Sequence, residues 1–366
     1  LAMILSGGIA FIWVDPRQGG GWSWPEVYRV MALFMIGAAV FSALFVPRLV
    51  NAPRPASAAR NDVLGFLAVA VAVAAGFIVT RYALSPLARE WLSPLFASSG
   101  IAPSLQQRWA DLAALFAGIA ITLPLVAWAA RRARFETLLG GLESYFAQPG
   151  AAPFLAFIVL YKLPDAFAGA LLTPFLLQAM QFSTAEVGVV NKVIGLWLTI
   201  IGALIAGAAM IRLGLWRSLM LFGVLQMLGN LGFWWLAVHG RGALPGLTIP
   251  PFDWGFVKLA EATPVDGGLL MAIASENITS GMGTAAFVAF LMSLCNRRFS
   301  ATQFALLSAF ASIGRVWVGP LAGVLAQSIG WPAFFIASTI VALPALALLV
   351  VLRKPMRLLE DDPARS

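Results

Sequence analysis

Cysteine and histidine are almost absent from this 366-residue sequence, which has only Cys295 and His239. A lone cysteine excludes an intrachain disulfide. Together the two residues exclude a His/Cys metal cluster, and one histidine beside a loop makes no credible Ser-His-Asp triad. Charge is also scarce. Asp, Glu, Lys and Arg make up 11% of the residues, against about 25% in a soluble domain. That deficit excludes a water-facing surface of ordinary size. The alternating pattern of a membrane β-barrel is missing. Residues 1–14 are apolar but lack a basic n-region and a cleavage site, so they do not read as a signal peptide.

What is present is apolar length. Hydrophobic residues are 60% of the chain, gathered in runs longer than a globular core uses. A run of about 18 or more apolar residues reads as a spanning helix. In hydrocarbon each backbone polar group must bond within its own segment, so helices are the default. Ten apolar segments are visible, at 1–14, 27–47, 63–82, 109–130, 151–180, 184–211, 216–238, 266–295, 302–327 and 331–352. The first is too short to span.

The net charge of +8 would suggest nucleic acid in a soluble protein. Here the basic residues occupy alternate short loops: Arg48, Arg54 and Arg60; Arg131, Arg132 and Arg134; Arg212 and Arg217; Arg297 and Arg298; Arg353, Lys354 and Arg357. The other loops are poorer and mixed. This is the positive-inside pattern, which places the C-terminus in the cytoplasm and excludes nucleic acid as a partner. Trp22, Trp24, Trp91, Trp216, Trp254 and Trp331 lie near segment ends, as an aromatic belt requires. Residues 131–149 read as an amphipathic cytoplasmic linker helix or, equally, as a solvated connector. Residues 22–48 and 330–354 form a weak internal repeat, a known device of transporter folds.

Five charges fall well inside apolar segments, away from their ends: Lys162, Asp165, Lys192, Glu276 and Arg315. An ionised side chain at the bilayer centre costs about 2.5–3.5 kcal/mol on insertion scales, so each should pair or face a cavity. Lys162 and Asp165 are three residues apart and share a helix face, with Pro164 between them to kink the helix. They form either a structural ion pair or a proton carrier (Asp165) beside a substrate contact. Glu276 is a plausible second protonation site. Arg315 does not lose its proton, which suits it to anchoring an anion or to pairing with a carboxylate. Gly281 and Gly283 mimic a dinucleotide loop, but no strand precedes them, and small residues in a spanning helix mean close packing. Trp197, Phe167 and Trp317 are either core residues or platforms for sugar faces.

The string Gly207-Ala-Ala-Met-Ile-Arg212-Leu-Gly214-Leu-Trp-Arg217 looks like a degenerate copy of the Gly-rich basic motif of the major facilitator fold, with Ile211 in place of the usual acidic residue. Longer strings are more specific: Tyr161-Lys-Leu-Pro-Asp-Ala-Phe-Ala-Gly-Ala, Phe182-Ser-Thr-Ala-Glu-Val-Gly-Val-Val-Asn-Lys192, Glu276-Asn-Ile-Thr-Ser-Gly-Met-Gly-Thr-Ala-Ala-Phe-Val-Ala-Phe, Phe299-Ser-Ala-Thr-Gln-Phe-Ala-Leu-Leu-Ser and Gly314-Arg-Val-Trp-Val-Gly-Pro-Leu-Ala-Gly. Over 151–352, and more weakly over 1–47, the chain resembles AmpG-type muropeptide permeases of the major facilitator superfamily. The resemblance implies an inner-membrane, proton-driven importer of N-acetylglucosaminyl-1,6-anhydro-N-acetylmuramyl peptides. No cofactor is expected, and the working unit is expected to be a monomer.

The expected fold is therefore an all-α membrane protein. Residues 1–50 end the first half of a major facilitator fold, and 51–150 are a linker with two extra spanning helices. Residues 151–353 are the six-helix second half, and 354–366 a cytoplasmic tail. Four further helices are expected before Leu1. The expected site residues are Asp165 and Glu276 for protons, and Lys162, Arg315, Lys192, Tyr161 and Asn277 for substrate. Gly207, Arg212, Gly214 and Arg217 form the gating motif. Transport of another sugar or drug, and a membrane-embedded acyltransferase, are the competing readings.

Overall fold

The computed structural model describes residues 9–16, 21–45, 59–147, 150–253, 258–295 and 300–360. In chain order the helices are α1 (Ala10–Val14), α2 (Trp24–Phe45), α3 (Arg60–Ser98), α4 (Pro103–Arg132), α5 (Glu136–Phe146), α6 (Ala151–Ala179), α7 (Thr184–Leu213), α8 (Leu215–His239), α9 (Gly267–Ser293), α10 (Ser300–Ile329), α11 (Trp331–Val351) and α12 (Arg353–Glu360). Among the described residues eight helices, namely α2, α3, α4, α6, α7, α8, α10 and α11, are long and apolar enough to cross a membrane. The chain is a multi-pass, helical membrane protein.

Two of the ten segments fall outside the eight. Segment 1–14 contains, among the described residues, only the five-residue helix α1. Segment 266–295 is a 27-residue helix, α9, long enough to span. It falls outside the eight because the run Ser275-Glu276-Asn277-Ile278-Thr279-Ser280 dilutes its hydropathy. Strands occur, among the described residues, between α8 and α9. There β1 (Leu247–Ile249) pairs antiparallel with β4 (Thr263–Val265), and β2 (Phe252–Asp253) with β3 (Lys258–Leu259). Arg48, Arg54, Arg297, Arg298 and the tail from 361 lie outside the described residues.

The chain divides into two compact units. The first comprises residues 1–50, 168–290 and 331–360. Its core is aromatic. Phe175 meets Phe335 at 4.8 Å and Trp331 at 5.1 Å, and Phe233 meets Phe335 at 5.4 Å. Phe175, Phe233, Phe334 and Phe335 are fully buried. Elsewhere in this unit α7 and α9 cross at glycines. A Cβ on Gly202 would strike the Ile278 carbonyl of α9, and a Cβ on Gly281 would strike the Thr199 carbonyl of α7. Glycine-bearing faces let spanning helices approach until backbones touch, which is how dispersion replaces the hydrophobic effect in lipid. The reading of Gly281 as a packing residue holds.

The second unit comprises residues 51–167, 291–330 and 361–366. Here the sequence marked two apolar spans, 63–82 and 109–130, and the structure extends both helices beyond those bounds into a hairpin. α3 runs 39 residues, and only residues 99–102 turn the chain into α4. The helix survives Pro86 because the turn before it is wide: over Thr80–Leu84 the Ser85 N–H reaches back five residues to the Thr80 carbonyl. Pro86 then sits at the start of the next helical stretch, where a missing N–H is tolerated. Two Gly-x-x-x-Thr steps lock the hairpin. Thr80 Oγ1 donates to the Gly76 carbonyl at 2.7 Å and packs on Gly118. Thr122 Oγ1 donates to the Gly118 carbonyl at 2.7 Å and packs on Gly76. The linker reading of 131–149 resolves as the helix α5, whose buried Tyr145 donates its hydroxyl to the Ala151 carbonyl at 3.0 Å.

Candidate functional site

In the second unit the sequence-singled charges of α6 do meet. The helix breaks at Lys162, one residue after Tyr161 and two before Pro164, as the proline required. Lys162 Nζ stands 3.2 Å from Asp165 Oδ2, and the two side chains are 9% and 18% exposed. Tyr161 is buried beside them in sequence. An ammonium and a carboxylate kept this dry stay charged only through mutual neutralisation and further polar contact. Phe167 is buried, and Trp317 packs on Phe116 at 5.9 Å within the same unit, so both serve as core. Arg315 lies on α10, and its side chain lies outside the described residues.

In the first unit Lys192 and Asn277 lie on the crossing helices. Lys192, half-buried, belongs to a wide turn of π geometry, Gly188–Ile194, next to the buried Asn191. Such turns recur at functional sites because the extra residue re-aims side chains. One residue beyond it, Gly195 leaves room for the Asn277 amide. Asn277 Oδ1 accepts from Thr199 Oγ1 at 2.9 Å, and its Nδ2 donates to the Ile273 carbonyl at 2.9 Å. The asparagine thus ties α9 to α7. Glu276, its neighbour, is half-buried and engaged in polar contact. Trp197 is 58% exposed, so it is not core among the described residues.

The Gly207–Arg217 string forms the α7–α8 turn. Gly214, at φ +76°, takes the left-handed conformation that glycine favours. Its carbonyl accepts Ser218 Oγ at 2.7 Å. Arg212 and Arg217 are exposed. Gly207 has open space where a side chain would go, so packing does not require glycine there. Trp216 anchors the turn by donating Nε1–H to the Leu349 carbonyl at 2.7 Å, with Arg353 above its ring at 5.0 Å.

Sequence reasoning missed a polar clasp at the other end of α7. Ser183 caps α7 by accepting the Glu186 N–H at 3.1 Å. Glu186, 2% exposed, accepts the Asp266 N–H at 2.8 Å and faces Arg241 at 3.7 Å. Arg241 also donates to the Gln181 carbonyl at 2.7 Å and covers the Phe182 ring at 4.8 Å. Asp15, 4% exposed, accepts from Thr184 Oγ1 at 2.9 Å and from the Ala185 N–H at 3.0 Å. A cavity of about 470 Å³ opens among Asp15, Gln181, Ser183, Glu186, Arg241 and Glu261. The available signal was the capping spacing Ser183-Thr-Ala-Glu186, a Ser followed three residues on by Glu. Replacing Arg241 with alanine should leave Glu186 facing its cavity without its cation. Arg241 is half exposed and partly screened, so the expected loss is about 1–2 kcal/mol of stability. Thermal unfolding of the purified protein, with faster proteolysis within 240–266, would record it.

No family model matches the chain. Curated relatives do. The anhydromuropeptide permease of Escherichia coli K12 is 43% identical over 221 residues, which is 60% of this chain and 40% of that protein. A Rickettsia conorii protein named putative transporter AmpG 4 is 32% identical over 217 residues, 59% of this chain and 47% of its own length. A Rickettsia felis protein named putative transporter AmpG 1 is 31% identical over 203 residues, covering 56% and 41%. The chain spans less than half the length of the curated relatives it matches. All three are named for transport, in line with a carrier rather than an enzyme. By these matches the chain is similar, over 203 to 221 of its residues, to proteins named as an anhydromuropeptide permease and as AmpG transporters.

Proposed function

We propose that this chain forms part of a proton-coupled carrier that imports anhydro-muropeptides across the bacterial inner membrane for cell-wall recycling. The observation that carries the reading is the 43% identity to a protein named anhydromuropeptide permease. In this reading α6 to α11 are the six-helix second half of a major facilitator fold, and α3 and α4 are a hairpin added between halves. The basic loops mark the cytoplasmic side, which puts α12 there. The working unit is a monomer.

Asp165 is the proton carrier and Glu276 a second one, because a carboxylate can take up and release a proton whereas the guanidinium of Arg315 cannot. Lys162 and Arg315 in the second unit and Lys192 in the first supply the positive sign that an anionic peptide needs, and Tyr161 and Asn277 are further substrate contacts in their own units. The turn through Gly207, Arg212, Gly214 and Arg217 serves alternating access. A sugar or drug of another class fits the same helices, and the membrane-enzyme reading loses its support in relatives named as permeases.

The test is uptake by intact cells of a permease-deficient strain expressing the full protein. Accumulation of labelled anhydro-muropeptide should stop when a protonophore collapses the gradient. Uptake that survives the protonophore and follows ATP would reject the mechanism, and uptake of unrelated sugars in preference would reject the substrate.

A further inference from the structure

The second unit holds a cavity that the transport reading does not use. It has about 470 Å³ and lies among α3, α4 and α10. Its lining is two-sided. Arg81, Ser85, Arg108 and Asp111 give it a polar end, while Phe77, Leu112, Leu115 and Val324 give it an apolar one. Asp111 is already neutralised: Arg89 grips it with two bonds of 2.7 Å, Nε to Oδ1 and Nη2 to Oδ2. Among the described residues, Arg81 and Arg108 have no carboxylate within ion-pair distance. The polar end therefore carries two guanidinium groups in excess, the side chain best matched to phosphate because it offers paired N–H donors in a rigid plane.

Position decides which phosphate. Arg81 is 21 residues beyond Arg60, the first residue of α3, or about 31 Å along a helix. Hydrocarbon is about 30 Å thick, so with the basic loops taken as one membrane face Arg81 reaches the level of the other, where lipid headgroups lie. Arg108 and Asp111 lie near the start of α4, toward the hairpin tip. Phe77 is one helical turn deeper than Arg81, so the apolar end of the cavity points into the bilayer. We propose that this groove binds an anionic phospholipid of that leaflet, with the phosphate between Arg81 and Arg108 and an acyl chain along Phe77, Leu112, Leu115 and Val324. The site would brace the hairpin whatever solute the protein carries.

Gly323 provides a discriminating variant. It lines the groove, sits in helix, and an added Cβ would meet nothing within 4 Å. Leucine there fills the acyl slot and leaves the arginines untouched. The experiment uses the full protein, delipidated in detergent, with native mass spectrometry against phosphatidylglycerol, phosphatidylcholine or inorganic phosphate. Phosphatidylglycerol should be retained at one per chain, and phosphatidylcholine at least about tenfold more weakly. Arg81→Ala with Arg108→Ala should weaken phosphatidylglycerol by about tenfold or more, and Arg81→Lys with Arg108→Lys by less. Gly323→Leu should weaken it too. Thermal unfolding without lipid checks that each variant is folded; where the alanine pair unfolds, the lysine pair and Gly323→Leu decide. Equal retention of both lipids would overturn the proposal. So would displacement by inorganic phosphate together with unchanged phosphatidylglycerol binding in Gly323→Leu, which is the behaviour of a plain anion site.

Discussion

Replacing Asp165 with asparagine is expected to abolish gradient-driven accumulation of muropeptide while leaving exchange of substrate across the membrane largely intact. Asparagine keeps the size of the carboxylate and mimics its protonated state, so under the proposed coupling the carrier loses the change of charge at this position. The side chain is 18% exposed and lies 3.2 Å from Lys162, whose own exposure is 9%. At that burial, taking away one partner of a charge pair costs about 3–5 kcal/mol when the other stays charged, so abundance in the membrane must be measured alongside. The structural account of the pair makes a different prediction. If Asp165 only neutralises Lys162, then Lys162→Met with Asp165→Leu removes both charges, leaves no stranded ion, and restores accumulation. Accumulation, exchange and membrane abundance of wild type, Asp165→Asn and the double variant at equal expression separate the accounts. A double variant that concentrates substrate as well as wild type would end the proton role assigned to Asp165.

Gly281→Leu should remove most of the folded protein from the membrane. Its Cβ would land on the Thr199 carbonyl of α7, and a backbone atom cannot rotate aside. The helices must separate, and overpacking of this kind costs typically about 1–3 kcal/mol, occasionally more. Separation also pulls the Asn277 carboxamide oxygen from Thr199 Oγ1, now at 2.9 Å, and costs that oxygen its partner. Gly202→Leu should act alike from the facing helix, where the Ile278 carbonyl takes the place of the Thr199 one. Gly207→Ala is the control, because nothing lies within 4 Å of its added Cβ and its membrane abundance and unfolding temperature should not change. Equal abundance of Gly281→Leu and Gly207→Ala would mean that the α7–α9 crossing is not the close contact described above.

The amino-acid sequence by itself determined that the chain is helical and crosses a membrane. Long apolar runs without strand alternation leave the helix as the backbone state in hydrocarbon, because in a helix each N–H and C=O bonds within its own segment. It also determined the kink beside Pro164 and the pairing of Lys162 with Asp165, since both follow from spacing along one helix. It singled out Gly281 as a packing residue, though not the surface it packs against. The permease likeness was legible in the order of residues alone, through the long strings around Tyr161, Glu276 and Gly314. The tertiary structure alone decided which distant residues meet. Asp15 caps a helix that begins at Thr184, and Arg241 covers Glu186. Hydropathy leaves Arg89 outside the apolar runs and gives no sign that it reaches across to Asp111, yet this pair joins two helices past the point where the run 63–82 ends. Periodicity reports what one segment needs; it carries no information about which other segment, a hundred or more residues away, supplies it. That choice comes from the fit of glycine against backbone and of charge against charge once the helices pack.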